Sequence, residues 1–119
     1  LRPGMNVAYL AFNTAKPPLN NPAVRHALAL AINNQRLMQS IYYGTAETAA
    51  SILPRASWAY DNEAKITEYN PAKSREQLKA LGLENLTLKL WVPTRSQAWN
   101  PSPLKTAELI QADMAQVGV

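Results

Sequence analysis

The sequence is poor in the residues that build most catalytic and metal sites. It has no cysteine and a single histidine, so disulfides, thiolate metal sites and cysteine nucleophiles are excluded. His26 has no second histidine near it and no carboxylate three or four residues further on. A metal ligand or general base needs such partners, so we expect a structural or surface histidine and no bound metal.

Glycine-rich phosphate loops and nucleophile turns are also missing. The four glycines are isolated from one another, whereas loops that cradle nucleotide phosphates contain clustered glycines. Ser40, Ser51 and Ser57 lack the Gly-x-Ser-x-Gly setting that exposes a nucleophile. The longest apolar stretches, such as 27–32, fall far short of the ~20 residues of a spanning helix. We predict no enzyme, no cofactor and no membrane insertion of this segment.

The charges are interleaved along the chain. Twelve Lys and Arg against eight Asp and Glu give a net charge of +4 and an isoelectric point of about 9.6. Nucleic-acid footprints are clustered stripes of Lys and Arg, and no such stripe is visible, so we expect no nucleic-acid partner. With 47% hydrophobic residues, the chain can bury the core of one small domain.

Two segments alternate in the manner of β-strands. Residues 5–13 are apolar on both faces, which is typical of a strand covered on two sides. Residues 86–92 place a large apolar side chain at every second position, with Thr87 and Lys89 between them. Two strands make a narrow sheet, so we expect further strands from sequence outside this chain.

Four segments have helical spacing. Asn21, Asn70 and Asn100 each precede a proline, the pattern of an N-cap followed by the first helical residue, and Asn33 offers a restart after the first helix. The last helix should end near Gly118. The predicted order is strand, helix, helix, loop, helix, strand, helix, which favours an α/β layered fold.

The junction between the second predicted strand and the last helix, residues 95–107, is the best candidate site. Arg95, Gln97 and Trp99 supply a cation, an amide and a flat apolar surface. The helix start adds free backbone N–H groups and the positive end of a helix dipole, which favour a carboxylate or carbonyl oxygen. The alternative is a solvated turn in which Trp99 packs onto the core.

Residues 45–69 have no sustained period and predict a long irregular connection. Loops of this length inside a domain are often functional or disordered, and the aromatic residues favour an ordered, packed loop. Trp58 and Tyr60 are further candidates for a pocket wall, as are Tyr42 and Tyr43 before the loop. Packing into the core is the alternative for all four.

A series of short motifs runs along nearly the whole chain. It consists of Asn-Val-Ala-Tyr-Leu-Ala-Phe-Asn-Thr-Ala-Lys-Pro-Pro-Leu-Asn at 6–20, Val-Arg-His-Ala-Leu at 24–28, Tyr-Asn-Pro-Ala-Lys at 69–73 and Val-Gly-Val at 117–119. In this order they resemble the dipeptide and oligopeptide family of ABC-transporter substrate-binding proteins. The resemblance implies a partial lobe of a type II periplasmic-binding-protein fold, with 1–119 as part of the second of two ligand-binding lobes.

The resemblance also implies a biological setting. The full-length precursor would carry a signal peptide, and the protein would act in the bacterial periplasm. Its partners would be a peptide ligand and the ABC permease subunits at the inner membrane. Closure of the lobes around the ligand would be its mechanism, with no bond made or broken.

One position departs from the family pattern. Relatives carry an arginine in the loop before the last Asn-Pro, where it pairs with the terminal carboxylate of the ligand. Aligned on Trp91 and Asn100, that position is Gln97 in this chain, and Arg95 lies two residues earlier. Glutamine cannot neutralise a carboxylate, and losing the guanidinium pair weakens anchoring by ~1.5 to 3 kcal/mol. Either Arg95 substitutes, or the ligand is not a free short peptide.

The resemblance and the residues together define the expected contacts. Arg95 would meet a carboxylate, Gln97 would hydrogen-bond amides, and Trp99 would cover an apolar side chain. Asn100 completes the first set, and Trp58 and Tyr60 form the second. Two alternatives stay open. The same receptor would carry a polyamine, an antimicrobial peptide or a haem-like solute, or the chain would be a structural or docking module that binds no ligand.

Overall fold

The computed structural model describes residues 4–119, and this part of the chain contains four α-helices. Helix α1 spans Pro22–Ala31, α2 spans Asn34–Tyr42, α3 spans Pro71–Ala80 and α4 spans Pro103–Ala115. All four predicted helices are therefore present. None of the helices in residues 4–119 is both long enough and apolar enough to cross a membrane.

Asparagine side chains cap the first three helices, as the sequence predicts. Oδ1 of Asn21, Asn33 and Asn70 accepts a hydrogen bond from an amide of the following turn, at 2.9, 3.0 and 3.0 Å respectively. Pro22 and Pro71 open α1 and α3, where the missing proline N–H has no partner to lose. Local chemistry is therefore enough to start these helices.

The prediction that Asn100 caps the last helix is wrong. Helix α4 begins at Pro103 with Ser102 as its N-cap, and the Ser102 side chain makes no capping hydrogen bond. The reason is steric, because the ring of Pro103 disfavours helical backbone at the residue before it. Oδ1 of Asn100 instead accepts a hydrogen bond from the Thr106 hydroxyl at 3.0 Å.

The core lies between α1, α3 and α4. Val24, Ala27, Leu28 and Ala31 recur at helical spacing along α1 and are buried. Side chains from the other two helices, and Val117 just after α4, cover them. The buried cluster comprises Val24, Ala27, Leu28, Ala31, Leu78, Met114 and Val117. The buried Ser74 hydroxyl donates to the Ala27 carbonyl at 2.6 Å, which ties α3 to α1.

An ion pair with a buried carboxylate joins α2 to α4. Asp113 is only 1% exposed, and its Oδ1 lies 2.6 Å from Nη2 of Arg36. Its Oδ2 accepts from the Asn33 amide at 3.0 Å, and the same Arg36 nitrogen also donates to the Leu109 carbonyl. One carboxylate therefore satisfies donors at the first turn of α2, and it fixes the position of that helix on α4.

The two predicted strands are not part of any sheet. Residues 5–13 and 86–92 lie outside regular elements, and the one β-bridge in residues 4–119 joins Gln97 to Asn100. A strand persists through hydrogen bonds to a neighbour, and neither segment has such a neighbour in the described part. The predicted α/β strand-helix order is therefore not confirmed.

Breaking the Asp113 pair is expected to destabilise the fold strongly. Asp113→Ala leaves the Asn33 amide without its acceptor and the Arg36 guanidinium with only the Leu109 carbonyl, which costs about 2 to 4 kcal/mol. Urea unfolding measures this loss as a fall in the free energy of unfolding. Glu108→Ala removes an exposed acid from the same helix and should change that free energy by less than about 0.5 kcal/mol. Equal effects of the two substitutions would contradict the assignment.

A methyl group at Gly118 is expected to be tolerated poorly. Gly118 has φ +88°, and a Cβ there would meet the Glu84 carbonyl oxygen at 2.5 Å. Gly118→Ala should cost roughly 2 to 4 kcal/mol, from the left-handed backbone and the clash together. Gly82 is the matched control, because its φ is +74° and nothing lies within 4 Å. Thermal unfolding should show a clearly smaller loss for Gly82→Ala, and a similar loss would exclude the clash.

Candidate functional site

An open cavity of about 860 Å³ lies between α2, the loop that follows it and the segment leading into α4. Its wall includes Tyr42 from α2, Tyr60 from the loop, and Trp91 and Trp99 from the segment before α4. Small-molecule sites are typically concave, largely apolar and about 300 to 1,000 Å³ in volume. The cavity therefore has the size and the aromatic lining of a ligand site.

A tight turn, residues 97–100, presents Trp99 to this cavity. The Gln97 amide donates to the Asn100 carbonyl, and the Asn100 amide donates to the Gln97 carbonyl, each at 3.0 Å. Ala98 and Trp99 form the tip of the turn, and both line the cavity. The paired backbone hydrogen bonds thus set the direction in which the indole is presented.

Two side-chain hydrogen bonds anchor the turn to the helices. The Tyr42 hydroxyl, at the end of α2, donates to the Trp99 carbonyl at 2.6 Å. The Thr106 hydroxyl on α4 donates to Oδ1 of Asn100 at 3.0 Å. Burial raises the pKa of Tyr42 above its ordinary value of 10.0, so the phenol stays protonated and can donate at neutral pH.

Three of the six predicted contact residues line the cavity, namely Tyr60, Trp99 and Asn100. Trp99 is 44% exposed, so its indole is not enclosed in the core. Its backbone carbonyl accepts the hydrogen bond from Tyr42 on α2. Tyr60 is half-buried. Residues from two distant parts of the sequence are thus brought to one surface.

The other three predicted contacts lie off the cavity wall. Arg95 is exposed, and Gln97 is half-buried with its backbone engaged in the turn. Trp58 is 98% exposed, so the expectation of a packed loop is wrong at this residue. No side chain of the described part, 4–119, covers this indole.

Sequence reasoning missed the two charged residues of the cavity. Among the lining residues in the described part, 4–119, Glu47 and Arg55 are the only charged ones. Nε of Arg55 donates to Oε1 of Glu47 at 3.1 Å. The side chain of Arg55 is 58% exposed and that of Glu47 is 66% exposed. Exposed ion pairs of this kind contribute little to stability. No sequence motif distinguishes either residue.

The described residues, 4–119, contain no group of three or more His, Cys, Asp or Glu side chains arranged to hold a metal ion. His26 is exposed on α1 and is absent from the cavity wall. The chemistry available at the cavity is therefore hydrogen bonding, aromatic contact and one ion pair. These groups suit recognition of a ligand.

The whole chain, residues 1–119, matches the middle region of the bacterial extracellular solute-binding proteins, family 5. The chain belongs to this family, and the resemblance expected from the short motifs is confirmed.

Three known proteins illustrate the relationship. The chain is 99% identical over all its 119 residues to the probable ABC transporter periplasmic-binding protein SapA of Escherichia coli K12. It is 93% identical over the same length to the peptide transport periplasmic protein SapA of Salmonella typhimurium LT2. It spans 22% of the length of each of these curated relatives.

The third comparison is a solved structure. The dipeptide-binding protein of Pseudoalteromonas sp. SM9913, in complex with Met-Leu, is 37% identical to the chain with a TM-score of 0.87. The match covers 92% of this chain and 22% of that protein. The chain therefore has the fold of the corresponding part of a peptide-binding protein.

Removing the Tyr42 hydroxyl is expected to loosen the turn that carries Trp99. Tyr42→Phe leaves the Trp99 carbonyl without its donor and should cost about 1 kcal/mol of stability. Amide hydrogen exchange at Asn100, whose N–H closes the turn, should become faster.

The neighbouring tyrosine provides the control for this substitution. Tyr43 is 80% exposed, so Tyr43→Phe should leave exchange at Asn100 unchanged. Since the pKa of Tyr42 is raised in the folded state, its stabilisation is complete below pH 10.0 and is lost as pH rises through the folded-state pKa. Unchanged exchange in Tyr42→Phe would exclude the anchoring role.

Proposed function

We propose that the chain is part of the second ligand-binding lobe of a two-lobed periplasmic receptor for a peptide ABC importer. The observation that carries this proposal is the aromatic cavity of about 860 Å³, in a chain with a family match over its whole length. In the proposal, the cavity is one side of a peptide site that a second lobe completes.

The names of the relatives support peptide as the cargo. One relative is a peptide transport periplasmic protein, and the solved relative holds the dipeptide Met-Leu. Trp99 and Tyr60 offer flat apolar surfaces for a ligand side chain, and Oδ1 of Asn100 is already bonded to Thr106. The Asn100 side-chain N–H₂ therefore remains as a donor toward a peptide carbonyl.

Receptor closure is the proposed mechanism. A ligand held by both lobes favours the closed state by the difference in its affinity for the two states. Gln97 and Trp58 lie off the cavity wall, so in this proposal they contact the ligand or the opposing lobe only after closure. Arg95 is also off the wall, and in this proposal it contacts only the opposing lobe. The closed receptor then delivers the peptide to the permease at the inner membrane.

A polycationic cargo has less support from the cavity. A polyamine or another polycation needs several carboxylates for charge complementarity, whereas the lining residues within 4–119 include one carboxylate, Glu47, already paired with Arg55. A docking module without a ligand leaves the aromatic cavity without a role. A short peptide fits the observed groups better than a polycation does.

Calorimetry on the full-length protein tests the proposal, with Met-Leu and tetraalanine as ligands. Trp99→Ala is expected to weaken peptide binding by about 10-fold or more, because it removes the largest apolar surface of the turn. Tyr69→Ala is the matched control, since Tyr69 is 45% exposed, similar to Trp99 at 44%, and lies off the cavity wall. The proposal would be overturned if the parent protein bound neither Met-Leu nor tetraalanine.

A further inference from the structure

The cavity has an uneven distribution of charge. Its wall is aromatic, aliphatic and neutral polar except at one place, where Arg55 and Glu47 face each other across 3.1 Å. Arg95, the cation expected from sequence, is not part of the wall. A ligand anion that enters the cavity therefore meets a guanidinium at Arg55.

Two contacts orient this guanidinium. Nε of Arg55 donates to Oε1 of Glu47, and the Arg55 Cζ lies 5.5 Å from the centroid of the Tyr60 ring. Arginine has five N–H donors in a rigid plane, and the contact with Glu47 uses the one on Nε. Neither Nη group donates to any residue of the described part of the chain, 4–119.

The free edge of the guanidinium has the geometry of a carboxylate receptor. Two parallel N–H groups on Nη1 and Nη2 match the two oxygens of a carboxylate in a bidentate pair. A short peptide with both ends free and no charged side chain is a zwitterion with no net charge, so its binding adds no net charge to the Arg55–Glu47 pair. Such a ligand therefore fits this pair better than a simple anion does.

We propose that Arg55 is the residue that binds the C-terminal carboxylate of a peptide held in the cavity, with Glu47 and Tyr60 as positioning residues. This assignment rests on the proposed function, a peptide-binding lobe. In this assignment Arg55, which lies in the 45–69 loop, supplies the cation that Gln97 cannot provide at the 97–100 turn. It also makes a free C-terminus, rather than a particular side chain, the feature of the ligand that Arg55 recognises.

The experiment measures calorimetric affinities of the full-length protein for Met-Leu and tetraalanine, each with a free and with an amidated C-terminus. Arg55→Gln should weaken binding of the free-acid peptides by about 10- to 100-fold, the range expected for a charge-assisted pair. The affinity of Arg55→Gln for the amidated peptides should differ from that of the parent by less than about 3-fold. Arg55→Lys, which keeps the charge and loses the fork, should fall between these values.

Arg95→Gln is the matched control, because it removes an exposed arginine that lies off the cavity wall. It should not reduce the preference for a free acid over an amide. The assignment would be overturned if Arg55→Gln weakened binding of the free-acid and amidated peptides equally. It would also be overturned if Arg95→Gln, and not Arg55→Gln, abolished the preference for the free acid. Either result would leave the proposed peptide binding intact. A parent protein that binds neither peptide would overturn the proposed function, and the role of Arg55 with it.

Discussion

A carboxylate that is almost fully removed from solvent, that of Asp113, holds α2 against α4. A buried charge is costly unless donors surround it, and Asp113 has the Arg36 guanidinium on one oxygen and the Asn33 amide on the other. Because both donors belong to the first turn of α2, the pair fixes where that helix begins. The position of its other end, at Tyr42, follows from this.

The cavity depends on the same pair of helices. The turn that carries Trp99 has few buried apolar contacts of its own, and its place is set by Tyr42 at the end of α2 and Thr106 on α4. Lys105 adds a contact of α4 with α2, through the Ser40 carbonyl at 3.2 Å. A shift of α2 relative to α4 would therefore move the Trp99 indole and change the cavity wall.

The two differences between the predicted and the observed secondary structure have different physical origins. Ser102 replaces Asn100 as the N-cap because Pro103, the next residue, disfavours helical backbone at Ser102. This local effect outweighs the local capping preference of Asn100. The strand predictions are not confirmed for a non-local reason, since alternation at 86–92 reports which faces are apolar but supplies no hydrogen-bonding neighbour. Leu90 and Val92 remain 42% and 38% exposed where the pattern predicts burial.

Sequence alone determined the four helices, three of their caps, the apolar face of α1 and the family, because caps and periodicity are properties of neighbouring residues. It also identified Trp99 and Tyr60 as aromatic candidates for a pocket. Only the tertiary structure decided that Arg55, and not Arg95, joins them at the cavity wall. The reason is that the position of an irregular loop depends on contacts far apart in the chain, which no local spacing encodes.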